Sequence, residues 1–268
     1  MYSLENLCRD ICLPEEVIQT VLTLSETVTC PTDKLCRKED WDAGLEEVRA
    51  ALGEDPDGFG ILTCMLKCAV ARRENFLELG CSHQVYVDTM KCFSRFVGEH
   101  MASFGRYGFD RGFWTVRQLS CLIFRFGQLE YELAVEQGLK VVKLHIPSDA
   151  RLEKDLLRQS YEQARDFLIP RFPDHANGLW ICGSWLLSPI LTEILPDTSR
   201  IRLFQSGFQI LKAYPDPQFR QWAYKRMDIA DEDLPENTSL QRKLKAYLLE
   251  GNTFQSGLGV LKREPFLY

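Results

Sequence analysis

The sequence predicts an α+β / α/β protein in two parts, an all-helical N-terminal domain over residues 1–112 followed by a mixed-sheet domain with flanking helices over 113–268. Three observations carry this. Apolar residues recur at spacings of three and four as far as about residue 107, strand-like alternation first appears at 127–134, and the two parts differ in charge.

In the first part, a helix starts near Pro14, with Glu15 and Glu16 in its positive first turn and Leu22 and Leu24 near its close. Trp41, Leu45, Val48 and Leu52 form the next stripe, ended by Gly53 and Pro56. The segment GILTCMLKCAVARREN is apolar nearly all round until Arg72, which marks a helix enclosed by others, so it is expected at the centre of the bundle. Gly80 stops it and Ser82 can cap the following helix, whose Tyr86, Met90, Phe93, Val97, Met101 and Phe104 line one face through five turns. That stripe reads as core packing rather than a cofactor box. The helical period breaks at RYGFDRGFWTVRQ, which places the domain boundary there.

The second part begins ambiguously, since Trp114 to Phe124 fits helix or strand. Residues 127–134 and 139–146 then read as an antiparallel hairpin around Glu136–Gln137–Gly138. A helix follows, capped by Ser148 or Asp149, with Leu152, Leu156, Ser160, Ala164 and Leu168 on one side. GLWICGSWLL (178–187) is an apolar run expected of an interior strand, and strand, helix, strand implies a right-handed parallel crossover. A short helix over 189–195, strands near 204–213 and 218–225, a capped helix over 237–250 and a strand near 257–263 complete the expected elements.

With 45% apolar and 26% charged residues among 268, the chain can bury substantial cores without covalent staples. No run approaches the roughly 18 uncharged apolar residues that cross a bilayer, and MYSLENLCRD carries acids where a secretory leader needs a basic start. A cytoplasmic protein making no membrane contact is therefore expected. Residues 1–115 carry 19 acidic and 12 basic side chains and the remainder 19 and 20. A balance of −6 disfavours nucleic acid as a partner, because phosphate binding needs a basic face, and an anionic ligand is expected on the near-neutral second part. The ten cysteines, Cys30 and the Cys64/Cys68 pair among them, read as reduced thiols. No metal is expected, since no CxxC occurs and neither His83 nor His100 completes a zinc spacing.

The phrases RFGQLEYEL, HIPSDA opening a long helix, CGSWLLSP and SRIRLFQSGFQI resemble, as a set, a bacterial N-acyltransferase-like family with a helical N-terminal domain and a GNAT-like C-terminal domain. The resemblance implies a GNAT-like mixed-sheet domain with flanking helices, acetyl-CoA or another acyl-CoA as co-substrate, and a small-molecule amine or amino-acid-like acceptor. It also implies that the helical part covers the acceptor side. In that fold a strand, here Leu139 to Ile146, runs into a helix whose leading amides hold the coenzyme diphosphate. The strand splays from its neighbour, here Trp180 to Trp185, to admit the pantetheine arm. The cofactor-binding turn would then be Ile146, Pro147, Ser148, Asp149, Ala150 and Arg151. It departs from the family's glycine-bearing turn: no glycine follows His145, Pro147 lacks an N–H, and Asp149 brings a negative charge.

Acyl transfer to an amine needs a base, donors for an oxyanion and an acid for the departing thiolate. Glu130 and Glu132, two apart on the hairpin strand, are candidate bases, the alternative being a solvated face. His145 and Cys182 could form a nucleophilic pair, against the alternatives of a satisfied histidine and a small buried hydrophobe. Ser184 could donate to a carbonyl at the splay, and Tyr161 or Tyr214 could serve as the acid. The rival reading is a catalytically inactive GNAT-fold binding or scaffold protein. A thiol enzyme built on Cys182 is a third.

Overall fold

The computed structural model describes residues 2–29, 31, 33–263 and 265, so Cys30 lies outside the described residues. The chain divides into two compact units, residues 1–125 and 126–268, a division thirteen residues beyond the expected 112/113.

The first unit contains α1 (Leu4–Asp10), α2 (Glu15–Ser25), α3 (Trp41–Leu52), α4 (Phe59–Glu78), α5 (His83–Met90), α6 (Cys92–Phe104) and α7 (Gly112–Leu119). The enclosed segment is α4, which packs against α1, α2, α3, α5 and α7 and buries Leu62, Cys64, Met65, Leu66, Ala69 and Phe76. Its N-terminus is held by Asp55, whose two carboxylate oxygens each accept a backbone N–H, from Gly60 and Ile61, at 2.9 Å. The expected five-turn helix is two, α5 and α6, joined at Lys91. The boundary shifts because Thr115, Val116 and Leu119 of α7 are buried and α7 packs on α3 and α4, which ties it to the helical unit.

The second unit holds β2 (Leu129–Glu136), β3 (Leu139–His145), α8 (Lys154–Arg171), α9 (Pro173–Ala176), β4 (Leu179–Ser184), α10 (Ile190–Ile194), α11 (Arg200–Ser206), β5 (Phe208–Pro215), α12 (Phe219–Ala223), α13 (Ser239–Leu249) and β6 (Gln255–Leu261). With β1 (Ile123–Phe126), the mixed sheet runs β1-β2-β3-β4-β6-β5. Gln137 and Gly138 both take positive φ, the backbone a two-residue hairpin turn needs, and they set the β2/β3 register. β3 and β4 pair in parallel across α8, whereas β4/β6 and β5/β6 are antiparallel.

The strand expected at 204–213 is present as β5 but starts four residues late, after the end of a helix, and the segment expected as a strand at 218–225 holds a helix instead. Ser199 caps α11, which buries Phe204, and β5 starts only at Phe208. Phe219 of α12 stacks on Phe254 with ring centroids 4.1 Å apart, inside a small separate core with Tyr224, Leu234, Leu244 and Leu248. Local apolar content is shared by short buried helices and strands, so burial in this second core decides the state. The α13 cap is a reciprocal one between Thr238 and Gln241.

Candidate functional site

Strand pleating sorts the candidate side chains onto two faces. Glu130 lies opposite His145, Glu132 opposite Lys143, and Lys143 opposite Ile181. Glu130, Glu132, Lys143, His145, Ile181 and Gly183 therefore share one face. Tyr131, Leu144, Trp180, Cys182 and Ser184 share the other. The latter is the α8 side: Tyr131 Oη and Ser160 Oγ are 3.0 Å apart, the Leu129 N–H donates to the same Oγ at 3.2 Å, and Tyr161 packs edge-on to Trp180.

This arrangement separates the expected Cys182–His145 pair. His145 lies two residues beyond Lys143 on β3 and Cys182 one residue beyond its partner Ile181 on β4, so by alternation their side chains point to opposite faces. Burial pushes the Cys182 thiol up to about 12, which opposes thiolate formation. Ser184, on the same side, accepts the Leu186 N–H at 3.1 Å and so caps a short 3-10 turn. The glutamates also depart from expectation, since both are buried rather than solvated, at 2% and 4% exposure. Glu132 Oε2 lies 2.7 Å from His145 Nε2. The contact fixes the orientation of the ring over this face of the sheet, with donor and acceptor set by the histidine tautomer.

The central parallel pair does not run to the strand ends. β3 and β4 pair at Val141/Leu179, Val142/Trp180 and Lys143/Ile181. Beyond that, Leu144 and His145 pair outward with β2, while Cys182, Gly183 and Ser184 pair outward with β6. A wedge therefore opens between the C-terminal ends of two parallel strands, where their inner backbone groups face one another without a ladder. The Tyr214 hydroxyl of β5 reaches the wedge, 3.3 Å from where a Cβ on Gly183 would stand. Burial raises its pKa and keeps it protonated, and the neighbouring Asp216 acts in the same direction.

The turn leaving β3 is longer than the sequence suggests. Neither Ser148 nor Asp149 caps the helix, because α8 begins at Lys154 with Glu153 as its N-cap. Ile146 to Arg151 form an irregular turn in which the Ala150 N–H donates to Pro147 O at 3.0 Å and the Arg151 N–H to Gln128 Oε1 at 2.7 Å. Two of the proposed phosphate-binding amides are thus already engaged. The leading amides of α8 are those of Lys154, Asp155 and Leu156, which no helix can satisfy internally. Two arginines meet at the residue that caps this end. Arg151 and Arg200 both reach the Glu153 carboxylate, at 2.8 Å and 3.4 Å, and hold it below the usual carboxylate range. Lys154 and Arg200 carry no local signal for this site; the late start of α8 and the Arg200–Glu153 ion pair bring them to one helix end. Among the described residues, no group of three or more metal-ligating side chains converges, and no helix is long and apolar enough to cross a membrane.

Comparison with known proteins bears on both parts of the chain. A family model described as an N-acyltransferase N-terminal domain matches residues 3–121, and one described as a GNAT-like C-terminal domain matches residues 123–261. The chain belongs to this GNAT-like N-acyltransferase family. No curated protein matches it. Among solved structures, an acyltransferase in complex with decanoyl-CoA and teicoplanin is similar to this family member at 22% identity. The match has a TM-score of 0.77 and covers 97% of this chain and 87% of that one. An acyltransferase in complex with decanoyl-CoA is 23% identical, at TM-score 0.77 over 96% and 86% of the two chains. An acyltransferase mutant with octanoyl-CoA is 22% identical, at TM-score 0.78 over 96% and 86%. These likenesses establish a shared fold across nearly the whole length.

Proposed function

We propose that this family member transfers an acyl group from acyl-CoA to the amine of a small acceptor. The observation that carries the reading is the wedge between β3 and β4, with the basic N-terminus of α8 at the same edge of the sheet. A pantetheine arm offers amide donors and acceptors to the strand ends at the wedge, and a diphosphate suits leading helix amides flanked by Arg151, Lys154 and Arg200. In this reading the phosphate site lies a few residues beyond the turn Ile146 to Arg151, which explains how a glycine-free turn can serve.

The chemistry follows from the face that His145 occupies. The acceptor nitrogen attacks the thioester carbonyl and gives its proton to the His145 ring, which the Glu132 carboxyl group orients. Backbone N–H groups at the wedge receive the carbonyl oxygen as it becomes an oxyanion. The carbon–sulfur bond then breaks, and Tyr214 donates its proton to the coenzyme thiolate, regaining one from solvent. The solved neighbours, crystallised with octanoyl- and decanoyl-CoA, support medium-chain acyl groups as the donors to try first. The teicoplanin complex supports a glycopeptide among the acceptors to try.

Isothermal titration with CoA, acetyl-CoA and decanoyl-CoA tests the reading. Binding of the thioesters is expected, and no heat at millimolar ligand would remove the enzyme. One observation favours an inactive binding protein instead, namely the internal capture of the Ala150 and Arg151 amides. That alternative predicts no coenzyme binding and no CoA release with any amine.

A further inference from the structure

The helical unit carries a second concentration of chemistry, among residues that the transfer reaction does not use. A surface pocket there is lined by Asp33, Cys36, Arg37, Cys68, Ala71 and Arg72. Cys36 closes a 3-10 turn, Asp33–Cys36, and Cys68 lies on α4. Their sulfur atoms are 3.1 Å apart. A disulfide is about 2.0 Å long, so an approach of roughly 1 Å, within the range of small side-chain rotations, joins them.

The surroundings favour that reaction. Arg72 is fixed in place, with Nε donating to Leu119 O at 3.1 Å and Nη2 to the Cys121 sulfur at 3.6 Å. Its charge favours the thiolate at both Cys36 and Cys68. The Cys68 hydrogen bond lowers the Cys36 thiol, against burial and the Asp33 carboxylate, and the same contact, with burial, raises Cys68. Cys36 is half-buried at the pocket and Cys68 is buried behind it. An accessible thiolate backed by a protonated thiol is the arrangement of an attacking and a resolving cysteine. With two sulfurs and no third ligating side chain converging among the described residues, the pair falls short of a structural zinc site.

We propose that Cys36 and Cys68 are a peroxide-oxidisable dithiol that cycles to a disulfide tying the 33–36 turn to α4. The Cys36 thiolate attacks one peroxide oxygen, the O–O bond breaks, and the departing hydroxide is protonated to water, leaving Cys36 as a sulfenic acid. The Cys68 sulfur then attacks the Cys36 sulfur. The S–O bond breaks, and the second hydroxide leaves as water with the Cys68 proton. Two thiols and one hydrogen peroxide thus give one disulfide and two waters. Two molecules of a small thiol reverse the change by exchange, ending as their own disulfide.

Peptide mapping of the full chain tests this. After mild hydrogen peroxide, tryptic peptides 35–37 and 68–72 are expected to run as one cross-linked species, two hydrogens lighter than the sum, and to separate with dithiothreitol. Cys64, which is itself disulfide-bonded against the reduced-thiol expectation, falls in the separate peptide 50–67 and does not confuse the assignment. In Cys68→Ala, Cys36 is expected to stop at the sulfenic acid and be captured by dimedone. In the folded protein at neutral pH, iodoacetamide should modify Cys36 at least ~10-fold faster than buried Cys8. Peptides 35–37 and 68–72 remaining separate after oxidation of the unmutated protein would overturn the proposal, as would Cys36 alkylating no faster than Cys8. Neither of these readouts depends on a variant that folds.

Discussion

His145 and Glu132 are the residues on which the proposed chemistry turns, and each has a separable consequence. His145→Gln should lower kcat by roughly 10²–10⁴ while leaving the KM for acyl-CoA near its original value, because the ring meets the amine and not the coenzyme. Glu132→Gln keeps the volume and removes the charge that stabilises imidazolium; steady-state kinetics should show a smaller loss, of about tenfold or more. Cys182→Ala provides the contrast. A thiol pushed up to about 12 on the opposite face takes no part, so kcat should persist, with stability reduced by about 1 kcal/mol for the lost contacts. The buried thiols also make an alkaline prediction. Cys8 and Cys182 rise from 9.0 to about 11 and about 12 on folding, so the folded chain holds those protons more tightly than the unfolded one. The stability they contribute is complete below pH 9 and is lost as pH rises towards 11 and 12. Urea midpoints measured from pH 8 to 11 should fall, and Cys182→Ala should flatten the decline.

At the scale of elements, the wedge and the start of α8 are each open to a directed change. Gly183→Val sets a branched side chain beside Tyr214 at the wedge, where even a Cβ would stand 3.3 Å from the hydroxyl. Calorimetry should find coenzyme binding weakened at least ~10-fold with far-ultraviolet circular dichroism retained. Arg200→Glu reverses a charge next to the leading amides of α8 and should weaken CoA several-fold, an effect that shrinks as salt is added. Gly257 answers a different question, since a Cβ there would meet Leu187 O at 2.2 Å. Gly257→Ala should destabilise the β4/β6 pairing by about 2–4 kcal/mol, seen as an earlier denaturant midpoint.

For the whole molecule, binding is linked to folding: a coenzyme that binds only the native chain adds about 2.7 kcal/mol at a hundred times its Kd. Much of the architecture behind that site was already legible in the chain. The enclosed α4 segment, the Gln137–Gly138 hairpin, the crossover through α8 and the apolar run of β4 are all local patterns, set by spacings of two or three to four residues. Those patterns, with the charge difference between the parts and the four phrases that resemble the family, were enough to predict a helical region followed along the chain by a mixed sheet. They could not decide whether Phe204 and Phe219 sit in helices or strands, because that depends on cores built from distant segments. Nor could they show the parting of β3 from β4, the Glu132–His145 bond, the reach of Tyr214 to Gly183 or the meeting of Cys36 with Cys68. Periodicity is read over a few neighbouring residues, whereas strand register and helix packing join groups tens of residues apart, and only the tertiary structure decides which of those groups meet.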